Sequence, residues 1–253
     1  MEASVESEIL VMHTNFFDRQ LTFTLKDSFE DTISLKGHGF TSSFASGTIT
    51  GYDASFGLDV EIPSMLNNVN ITVIDENAFK SKGIVSVVIP DTVLEIRQSA
   101  FESNSLQSVF IPNDVTIISP SAFANNLLES VSYGSGVTSI GTNAFAFNQL
   151  TTLDRPFLLE TTGNNLKNVL SSFPTLLDGV TTIGDGAFQA SNLTALVIPN
   201  SVITIGDSSF KNNLLDTLTL PNTAISLGES AFENNKIAHV TCRCNNRWRF
   251  RLP

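Results

Sequence analysis

Most of the chain repeats one pattern of apolar and polar positions, and phenylalanine marks its period. Successive members of this series are separated by 22 residues five times and by 43 residues once. The series consists of Phe79, Phe101, Phe123, Phe145, Phe188, Phe210 and Phe232. Self-similarity at a fixed period of this length is typical of a repeat architecture. Positions are therefore numbered from each phenylalanine as position 0.

Each repeat contains two short stretches whose pattern predicts strands. Positions +8 and +10 are aliphatic, as in Val109 and Ile111, while +7 and +9 are polar or mixed. This alternation predicts a strand with one buried face. Proline at +11, as in Pro112 and Pro199, has no N–H and ends that strand. A second, β-branched stretch at +14 to +17, such as VITI at 202–205, predicts another short strand.

The remaining positions of the repeat predict tight connections. Glycine at +18 permits the positive φ of a turn, which is the conformation we expect there. These glycines are Gly141, Gly184, Gly206 and Gly228. A short helical or 3₁₀ turn around the Ala-Phe pair then closes the coil. Asparagine at +3 offers a donor and acceptors, so we expect it to bond turn backbone in neighbouring coils. These asparagines are Asn104, Asn126, Asn148, Asn213 and Asn235.

The repeats predict a stacked architecture, because one 22-residue coil cannot bury its own apolar side. Stacked coils share one continuous core, in which the phenylalanines form an apolar spine. The fold class is therefore a mostly β repeat solenoid of short strands and short turns. Counting degenerate repeats, we expect about nine coils between residues 47 and 242.

The recurring text AF..N.L..V.IP..V..IG..AF resembles the BspA-like leucine-rich repeat family. The likeness covers about residues 47–242, and it is specific because many positions agree at once. Residues 47–79 resemble the entry module of that family, a strand pair that leads into the first coil. The resemblance implies a surface or secreted protein of the kind found in bacteria and some protists. Repeats of this kind bind many different partners, so the resemblance does not identify one.

Three segments depart from the repeat and predict the domain organisation. Residues 1–46 alternate in LTFTLK and TISLKGHGF, so we expect a strand-rich cap over the edge of the first coil. Residues 146–178 are irregular, since Arg155 replaces the aliphatic at +10 and Leu166 stands near the next phenylalanine position. We interpret them as a drifted coil with a surface bulge, the alternative being a functional loop beside a partner site. Residues 243–253 lack repeat character and predict a basic tail, either native or foreign to the protein.

Composition and charge narrow the class of protein. A hydrophobic content of 42% with 19 phenylalanines excludes a wholly disordered chain. The net charge of −11 argues against binding to nucleic acid or anionic membrane, because phosphate is repelled. We expect no membrane insertion, since no stretch approaches the ~18 apolar residues of a spanning helix. The first twelve residues lack the basic start of a secretory signal. Four of the 14 basic residues lie in the last eleven positions, at Arg243, Arg247, Arg249 and Arg251.

Side chains suited to catalysis or metal binding are sparse. His13, His38 and His239 do not share a ligand spacing, and we expect His239 to be simply exposed on a strand. Cys242 and Cys244 are too close for an unstrained disulfide and too few for a zinc site. No nucleophile elbow, P-loop or dinucleotide fingerprint occurs. Acidic residues stand mainly at turn positions, which they cap or solvate. We therefore predict no enzymatic activity, no cofactor and no bound metal.

The outward side of the +7 to +10 strands is then the candidate functional surface. Its +9 column contains one aromatic, Phe110, and interfaces concentrate binding energy in such anchors. The column comprises Val88, Phe110, Ser132, Asp154, Val197 and Thr219. We predict a non-catalytic protein-interaction module that binds extracellular-matrix or other cell-surface macromolecules. The resemblance implies that it is adhesin-like and located at the cell surface or secreted.

Other interpretations stay open at this point. The chain is a structural spacer that displays other domains if its repeats bind no partner of their own. Alternatively, serine and threonine at +16 recognise glycan or ice, although Glu95 and Ile117 interrupt that ladder. The ladder comprises Ser139, Thr182, Thr204 and Ser226. An exposed Phe110 that only satisfies strand propensity is the simplest interpretation of the column.

Overall fold

A computed structural model describes six stretches of the chain and shows a β-solenoid. The described residues are 32–34, 39–43, 47–66, 68–151, 179–223 and 225–242. Within them one short 3₁₀ helix, Ala54–Phe56, accompanies nineteen strands. The predictions for the LTFTLK segment, for Asp154 and Arg155, and for the tail from Arg243 onward lie outside this part of the chain.

One long sheet contains positions +16 and +17 of successive coils. Its order is β1-β2-β3-β7-β9-β11-β13-β14-β16-β18. These strands are β1 Thr32–Ser34, β2 Phe40–Ser43, β3 Thr48–Tyr52, β7 Val73–Ile74, β9 Glu95–Ile96, β11 Ile117–Ile118, β13 Ser139–Ile140, β14 Thr182–Ile183, β16 Thr204–Ile205 and β18 Ser226–Leu227. From β3 onward all neighbours are parallel, and Ile118 pairs with Ile96 and with Ile140. The second residue of each two-residue strand is buried, except at β18.

A second set of strands contains positions +7 to +10 and forms three small parallel sheets. They are β4 Asp59–Glu61 with β8 Ser86–Val88, β10 Ser108–Ile111 with β12 Ser130–Tyr133, and β15 Ala195–Val197 with β17 Thr217–Leu220 and β19 His239–Cys242. Burial alternates as predicted, so that Val109 and Ile111 are buried while Ser108 and Phe110 are exposed. A short antiparallel pair, β5 Met65–Leu66 and β6 Val69–Asn70, precedes the first regular coil.

The repeat phenylalanines stack face to face and form the spine of the core, as the sequence predicted. Neighbouring ring centroids are 4.9–5.7 Å apart, with interplanar angles of 5–15°. The rings from Phe79 to Phe210 are fully buried, and Phe232 in the last coil is half-buried. Stacked aromatic pairs attract one another beyond the area that they bury. The spine therefore couples each coil to its two neighbours.

The asparagines at +3 link neighbouring coils, which confirms their predicted role. The Nδ2 of Asn126 donates to the carbonyl oxygens of Phe101 at 2.9 Å and Phe123 at 3.1 Å. Its Oδ1 accepts from the N–H of Leu106 at 3.1 Å. Equivalent bonds are made by Asn104, Asn148, Asn213 and Asn235. Ser191 takes this position in one coil, where its hydroxyl donates to the phenylalanine carbonyl of the preceding coil.

Single hydrogen-bonded turns close the coils around each Ala-Phe pair. Helical segments longer than one turn do not occur there in the described residues. Residues two positions before and after the phenylalanine have positive φ, as Ser99 (55°) and Ser103 (59°) do beside Phe101. A left-handed residue at every fourth position stops a helix from propagating. The N–H of Phe101 instead donates to the carbonyl of Ala122 in the next coil, at 2.8 Å.

The glycines at +18 are needed for close packing, and the prediction that they adopt positive φ is wrong. Gly141, Gly184, Gly206 and Gly228 are all absent from the set of positive-φ residues. A Cβ on Gly206 would lie 2.6 Å from the backbone nitrogen of Asp185 and 2.8 Å from the carbonyl carbon of Gly184. Because adjacent coils approach at strand spacing here, a residue without a side chain is required.

The 43-residue interval in the phenylalanine series is one turn of the solenoid. The rings of Phe145 and Phe188 stack directly, with centroids 5.6 Å apart. Strands β13 and β14, on either side of the interval, also pair directly, Ser139 with Thr182. No further coil separates these rungs. An additional coil in this interval, as part of the predicted irregular segment 146–178, is therefore wrong, because the rungs of the long sheet before and after it are adjacent. The surface bulge and the alternative functional loop concern residues 152–178, which lie outside the described residues.

The surplus residues of that turn lie between Thr151 and Gly179. Six residues separate these positions in a regular coil, whereas residues 152–178 supply 27 here. The described residues contain eight parallel rungs in the long sheet, from β3 to β18. The sequence count of about nine included this interval as two coils.

The N-terminal strands extend the long sheet at its first edge. Strands β1 and β2 pair antiparallel, and β2 pairs antiparallel with β3 before the parallel order begins. Phe40 and Tyr52 are buried there, and their ring centroids lie 6.3 and 5.5 Å from that of Phe79. The described residues of TISLKGHGF, 32–34 and 39–40, thus include strand residues, as predicted, and Phe40 together with Tyr52 of β3 continues the spine.

Candidate functional site

The outward side of the second set of strands, here called the strand face, contains the predicted binding column. Side chains alternate between the two faces of a strand. Burial of +8 and +10 in the core therefore directs +7 and +9 to solvent, and the burial patterns of β8, β10, β12, β15 and β17 follow this rule. The asparagine bonds behind these strands hold the backbone of each coil in place.

Val88 and Phe110 are the most exposed apolar members of the column. Val88 is 59% exposed and Phe110 is 36% exposed. Glu61 stands opposite Val88 in the register of β4 and β8, and Ser132 stands opposite Phe110 in the register of β10 and β12. Strands β8 and β10 lie next to each other. The structure therefore places an apolar pair between a carboxylate and a serine.

The rest of the predicted column is less exposed. Ser132, Val197 and Thr219 are half-buried on the strand face. The hydroxyl of Thr219 lies 2.8 Å from that of Thr241 in the last strand. Asp154 lies outside the described residues. Five of the six predicted residues thus project from the strand face.

Exposed acidic residues lie on the strand face and beside the ends of its strands. Two of them belong to β4, and four others lie within three residues of the ends of β8, β10, β12 and β17. These exposed residues are Asp59, Glu61, Asp91, Asp114, Glu129 and Asp216. The lysines and arginines of the described stretches all lie within four residues of a repeat phenylalanine. They are Lys80, Lys82, Arg97, Lys211 and Lys236.

Three of these five cations are paired with a carboxylate of the preceding or following coil, 22 residues away. The pairs are Lys80–Glu102 at 2.9 Å, Arg97–Asp75 at 2.8 Å and Lys211–Glu233 at 2.9 Å. Arg97 also reaches Glu95 at 3.2 Å, and both bonds raise the pKa of its guanidinium. The turns around the repeat phenylalanines, here called the turn side, therefore contain these ion pairs, whereas none of the six acids of the strand face forms one with a described residue.

An exposed aromatic residue on the turn side was missed in the sequence. Phe147, at +2, has a φ of 57° and is 50% exposed. A bulky side chain is uncommon in the left-handed region, because its Cβ crowds the following carbonyl. The equivalent positions of the other coils hold serine, asparagine or alanine. Comparison of the +2 column would have identified this residue.

The serine and threonine ladder lies on the outward side of the long sheet. Its members follow one another in register from β13 to β18, as Ser139 with Thr182 and Thr182 with Thr204. Ile117, which is 55% exposed, belongs to the same sheet, and Ile203, which is 60% exposed, directly precedes β16. The outward side of this sheet is therefore mixed in character.

The described stretches contain no group of three or more His, Cys, Asp or Glu side chains arranged to hold a metal ion. His239 is exposed in β19, as predicted, while the other histidines and both cysteine side chains lie outside the description. Asp185 accepts from the N–H of Asp207 at 2.8 Å, and Asp207 accepts from that of Glu229 at 2.7 Å, so these turn acids act as predicted. No helix in the described part of the chain has the length and apolar character needed to span a bilayer.

Comparison with known families identifies the repeat. The family model described as the BspA type leucine rich repeat region matches residues 53–168 and 181–248, with six copies. The matched residues make up more than half of the chain and include the phenylalanine series. A search of curated proteins found no match.

Similarity to solved structures is detectable at low identity. A leucine-rich repeat protein from Bacteroides ovatus is 18% identical, with a TM-score of 0.43, and the match covers 95% of this chain and 76% of that one. A leucine-rich cell surface protein from Faecalibacterium prausnitzii is 19% identical, with a TM-score of 0.39 and coverages of 87% and 76%. The pneumococcal vaccine antigen PcpA is 17% identical, with a TM-score of 0.49 and coverages of 93% and 50%. Such likeness concerns architecture and does not identify partners.

Proposed function

Because the chain belongs to the BspA-type leucine-rich repeat family, we propose that it is a non-catalytic protein-interaction module that binds through its strand face. The exposed Val88–Phe110 pair carries this proposal. It is the part of the predicted column with the most exposed apolar side chains, on strands whose +8 residues, Val87 and Val109, are buried in the core. The face is preorganised, so little conformational entropy is lost on binding.

The energetic role of Phe110 follows from how it is held. Val109 and Ile111 on either side are 4% and 0% exposed, and they fix the backbone from which the ring projects. A ring presented in this way is a suitable anchor, and truncation of such an anchor weakens binding by about 2 kcal/mol, or roughly 30-fold. Val88 supplies adjacent apolar area and a smaller contribution.

The partner class that we propose is an extracellular-matrix or cell-surface macromolecule, with an adhesin-like role. A cell-surface or secreted location accompanies this proposal. Both follow from what membership of the family implies, together with an extended repeat surface that suits contact with large partners.

Binding of the full chain to immobilised extracellular-matrix proteins and to whole cells, at physiological salt, tests the function. Saturable binding is expected, with roughly 30-fold lower affinity for Phe110→Ser and a smaller loss for Val88→Ser. Serine is compatible with the site, since Ser132 occupies the paired position. Ile203→Ser is the matched control, because it removes a 60% exposed aliphatic side chain directly before β16 of the long sheet, away from the strand face.

A structural spacer is the second candidate, and one observation favours it. The long sheet and the aromatic spine continue through all eight parallel rungs, which makes a stiff rod. Absence of saturable binding to every surface in the panel would support the spacer. Equal affinity of the wild type, Phe110→Ser and Val88→Ser would remove the strand face from the proposed function.

A further inference from the structure

The carboxylates around the strand face have no cation to compensate them. Every ion pair that the described residues form lies on the turn side of the solenoid. On the strand face Asp59 accepts a hydrogen bond from Ser86 at 2.6 Å, which satisfies one oxygen without neutralising the charge. Six exposed acids lie on or beside this face. Within the described stretches, Lys236 is the lysine or arginine that comes within three residues of one of its strands, and it precedes β19 at the far end of the face. The charge around Val88 and Phe110 is therefore negative.

The apolar pair and the carboxylates are too close to be covered separately. Glu61 is the direct register partner of Val88, and strand neighbours lie about 4.8 Å apart. Asp114 follows Phe110 by four residues, just beyond the end of β10. A partner that covers the apolar pair therefore removes water from these carboxylates. Desolvation of a carboxylate is unfavourable unless a cation or several donors replace the water.

We propose, building on the proposed function, that the partner presents a cationic protein surface with lysine or arginine around an apolar centre. The cations compensate Glu61, Asp114 and the other acids of the face, while the apolar centre contacts Val88 and Phe110. A small cation alone is a poorer fit, because it would compensate the carboxylates and leave Val88 and Phe110 without a contact. An acidic protein, a nucleic acid or an anionic membrane is repelled.

A synthetic peptide tests this chemistry with the full chain. The probe is a labelled nine-residue peptide of alternating lysine and phenylalanine, with its ends blocked, and its dissociation constant is measured by fluorescence anisotropy. A copy with glutamate in place of lysine is the charge-reversed control. Titrations at about 0.01 M and about 1 M ionic strength compare Debye lengths of about 30 Å and about 3 Å. The lysine peptide is expected to bind, more weakly at high salt, and the glutamate peptide is not.

Charge-neutral variants locate the interaction on the protein. The double variant Glu61→Gln/Asp114→Asn is expected to bind the lysine peptide about fivefold more weakly. The matched control is Glu76→Gln/Glu229→Gln, which removes the same charge from exposed positions on the turn side. This control is expected to change the affinity by less than about twofold. Equal weakening in both double variants would overturn the inference, because the attraction would then follow net charge alone.

The outcomes separate this inference from the proposed function. If Phe110→Ser abolishes binding of matrix proteins while salt and the Glu61→Gln/Asp114→Asn variant have no effect, the face binds partners but the cationic chemistry is wrong. If the charge variant matters and Phe110→Ser does not, the apolar anchor of the proposed function is wrong.

The chain's own basic tail is tested in the same assay. A full-length variant changes four arginines of the tail to glutamine, namely Arg243, Arg247, Arg249 and Arg251. Unchanged affinity for the lysine peptide is expected. Peptide binding that occurs only in this variant would indicate that the tail occupies the strand face in the wild type. This result would overturn the proposal of a separate partner.

Discussion

The rings of Phe145 and Phe188 are direct neighbours in the core although 43 residues separate them in the chain. Their centroids are 5.6 Å apart, within the 4.9–5.7 Å of the pairs separated by 22 residues, and their planes differ by 15°, against 5–10° in those pairs. The solenoid therefore continues without interruption past this interval. Strands β13 and β14 of the long sheet pair directly across it, Ser139 with Thr182.

Removal of the surplus residues is expected to preserve the fold. Deletion of 155–175 leaves six residues between Thr151 and Gly179, the number found in a regular coil, and keeps Leu153 at +8. We expect a cooperative unfolding transition with a midpoint within about 5 °C of the wild type, measured by circular dichroism. Deletion of 195–200 is the control, since it removes the connecting strand of a regular coil and should abolish cooperative unfolding. A loss after deletion of 155–175 as large as in the control would contradict the single-turn interpretation.

Truncation of the spine is expected to be most harmful in its middle. Phe123→Ala removes a fully buried ring that stacks on two neighbours, so the free energy of unfolding should fall by about 3–5 kcal/mol. Phe232 is half-buried and stacks on one ring, so Phe232→Ala should lose roughly half as much. Urea titration of both variants measures the difference. Equal losses at the two positions would show that the stacking of successive rings does not determine stability.

The asparagine column provides a graded test of buried hydrogen bonds. Asn126→Ala leaves the N–H of Leu106 without its partner. It also removes one of the two amide donors to each carbonyl of Phe101 and Phe123, which keep those of Asn104 and Asn148. We expect a loss of about 1–3 kcal/mol. Asn126→Ser should lose less, because the serine hydroxyl at the equivalent Ser191 donates to a neighbouring carbonyl. Urea unfolding should rank the wild type above serine and serine above alanine. Equal stability of the serine and alanine variants would show that the hydroxyl does not replace the amide at this position.

The pair formed by Glu102 and Lys80 predicts a dependence of stability on pH. Burial alone would raise the pKa of Glu102, but the hydrogen bond from Ser99 and the ion pair with Lys80 outweigh it and lower that pKa. The stabilisation is therefore present above the unfolded pKa of about 4.3 and is lost as the pH falls through the folded pKa.

Glu102→Gln should therefore reduce stability at neutral pH by less than about 1 kcal/mol, since the Lys80 side chain is 39% exposed and solvent screens the pair. The difference from the wild type should shrink as the pH falls from 7 to about 3. Urea unfolding across this range measures it, with Glu76→Gln as an exposed control that has no ion pair in the described stretches. A difference between Glu102→Gln and the wild type that grows toward low pH would contradict the sign of the shift.

The sequence predicted the spine and its asparagine bonds because a column of identical residues at one spacing admits few arrangements. It did not predict the conformation of Gly206, since a glycine required by positive φ and one required by close packing look alike in a sequence. The interval after Phe145 was misinterpreted because Leu166 lies near the place of a repeat phenylalanine. Whether that place belongs to a rung depends on contacts between distant residues, here Ser139 with Thr182.

The predicted binding column was also only partly predictable from the sequence. Alternation along each strand was sufficient to predict that Val88 and Phe110 face outward, because the side chains at +8 and +10 are buried on the opposite face. The segregation of cations to the turn side depends on how coils stack, which places residues 22 positions apart beside one another. The positive φ of Phe147 is imposed by the turn that all coils share, and the identity of the residue gives no sign of it.

The spine of stacked rings also determines how the molecule responds to a pulling force. Each ring contacts only its two neighbours, so a chain pulled from its ends peels away one coil at a time, without global rupture. A regular coil releases 22 residues and lengthens the chain by about 70 Å. The turn between Phe145 and Phe188 releases 43 residues, so its extension is nearly twice that of a regular coil. Unfolding by force should therefore show one long step in an otherwise uniform series.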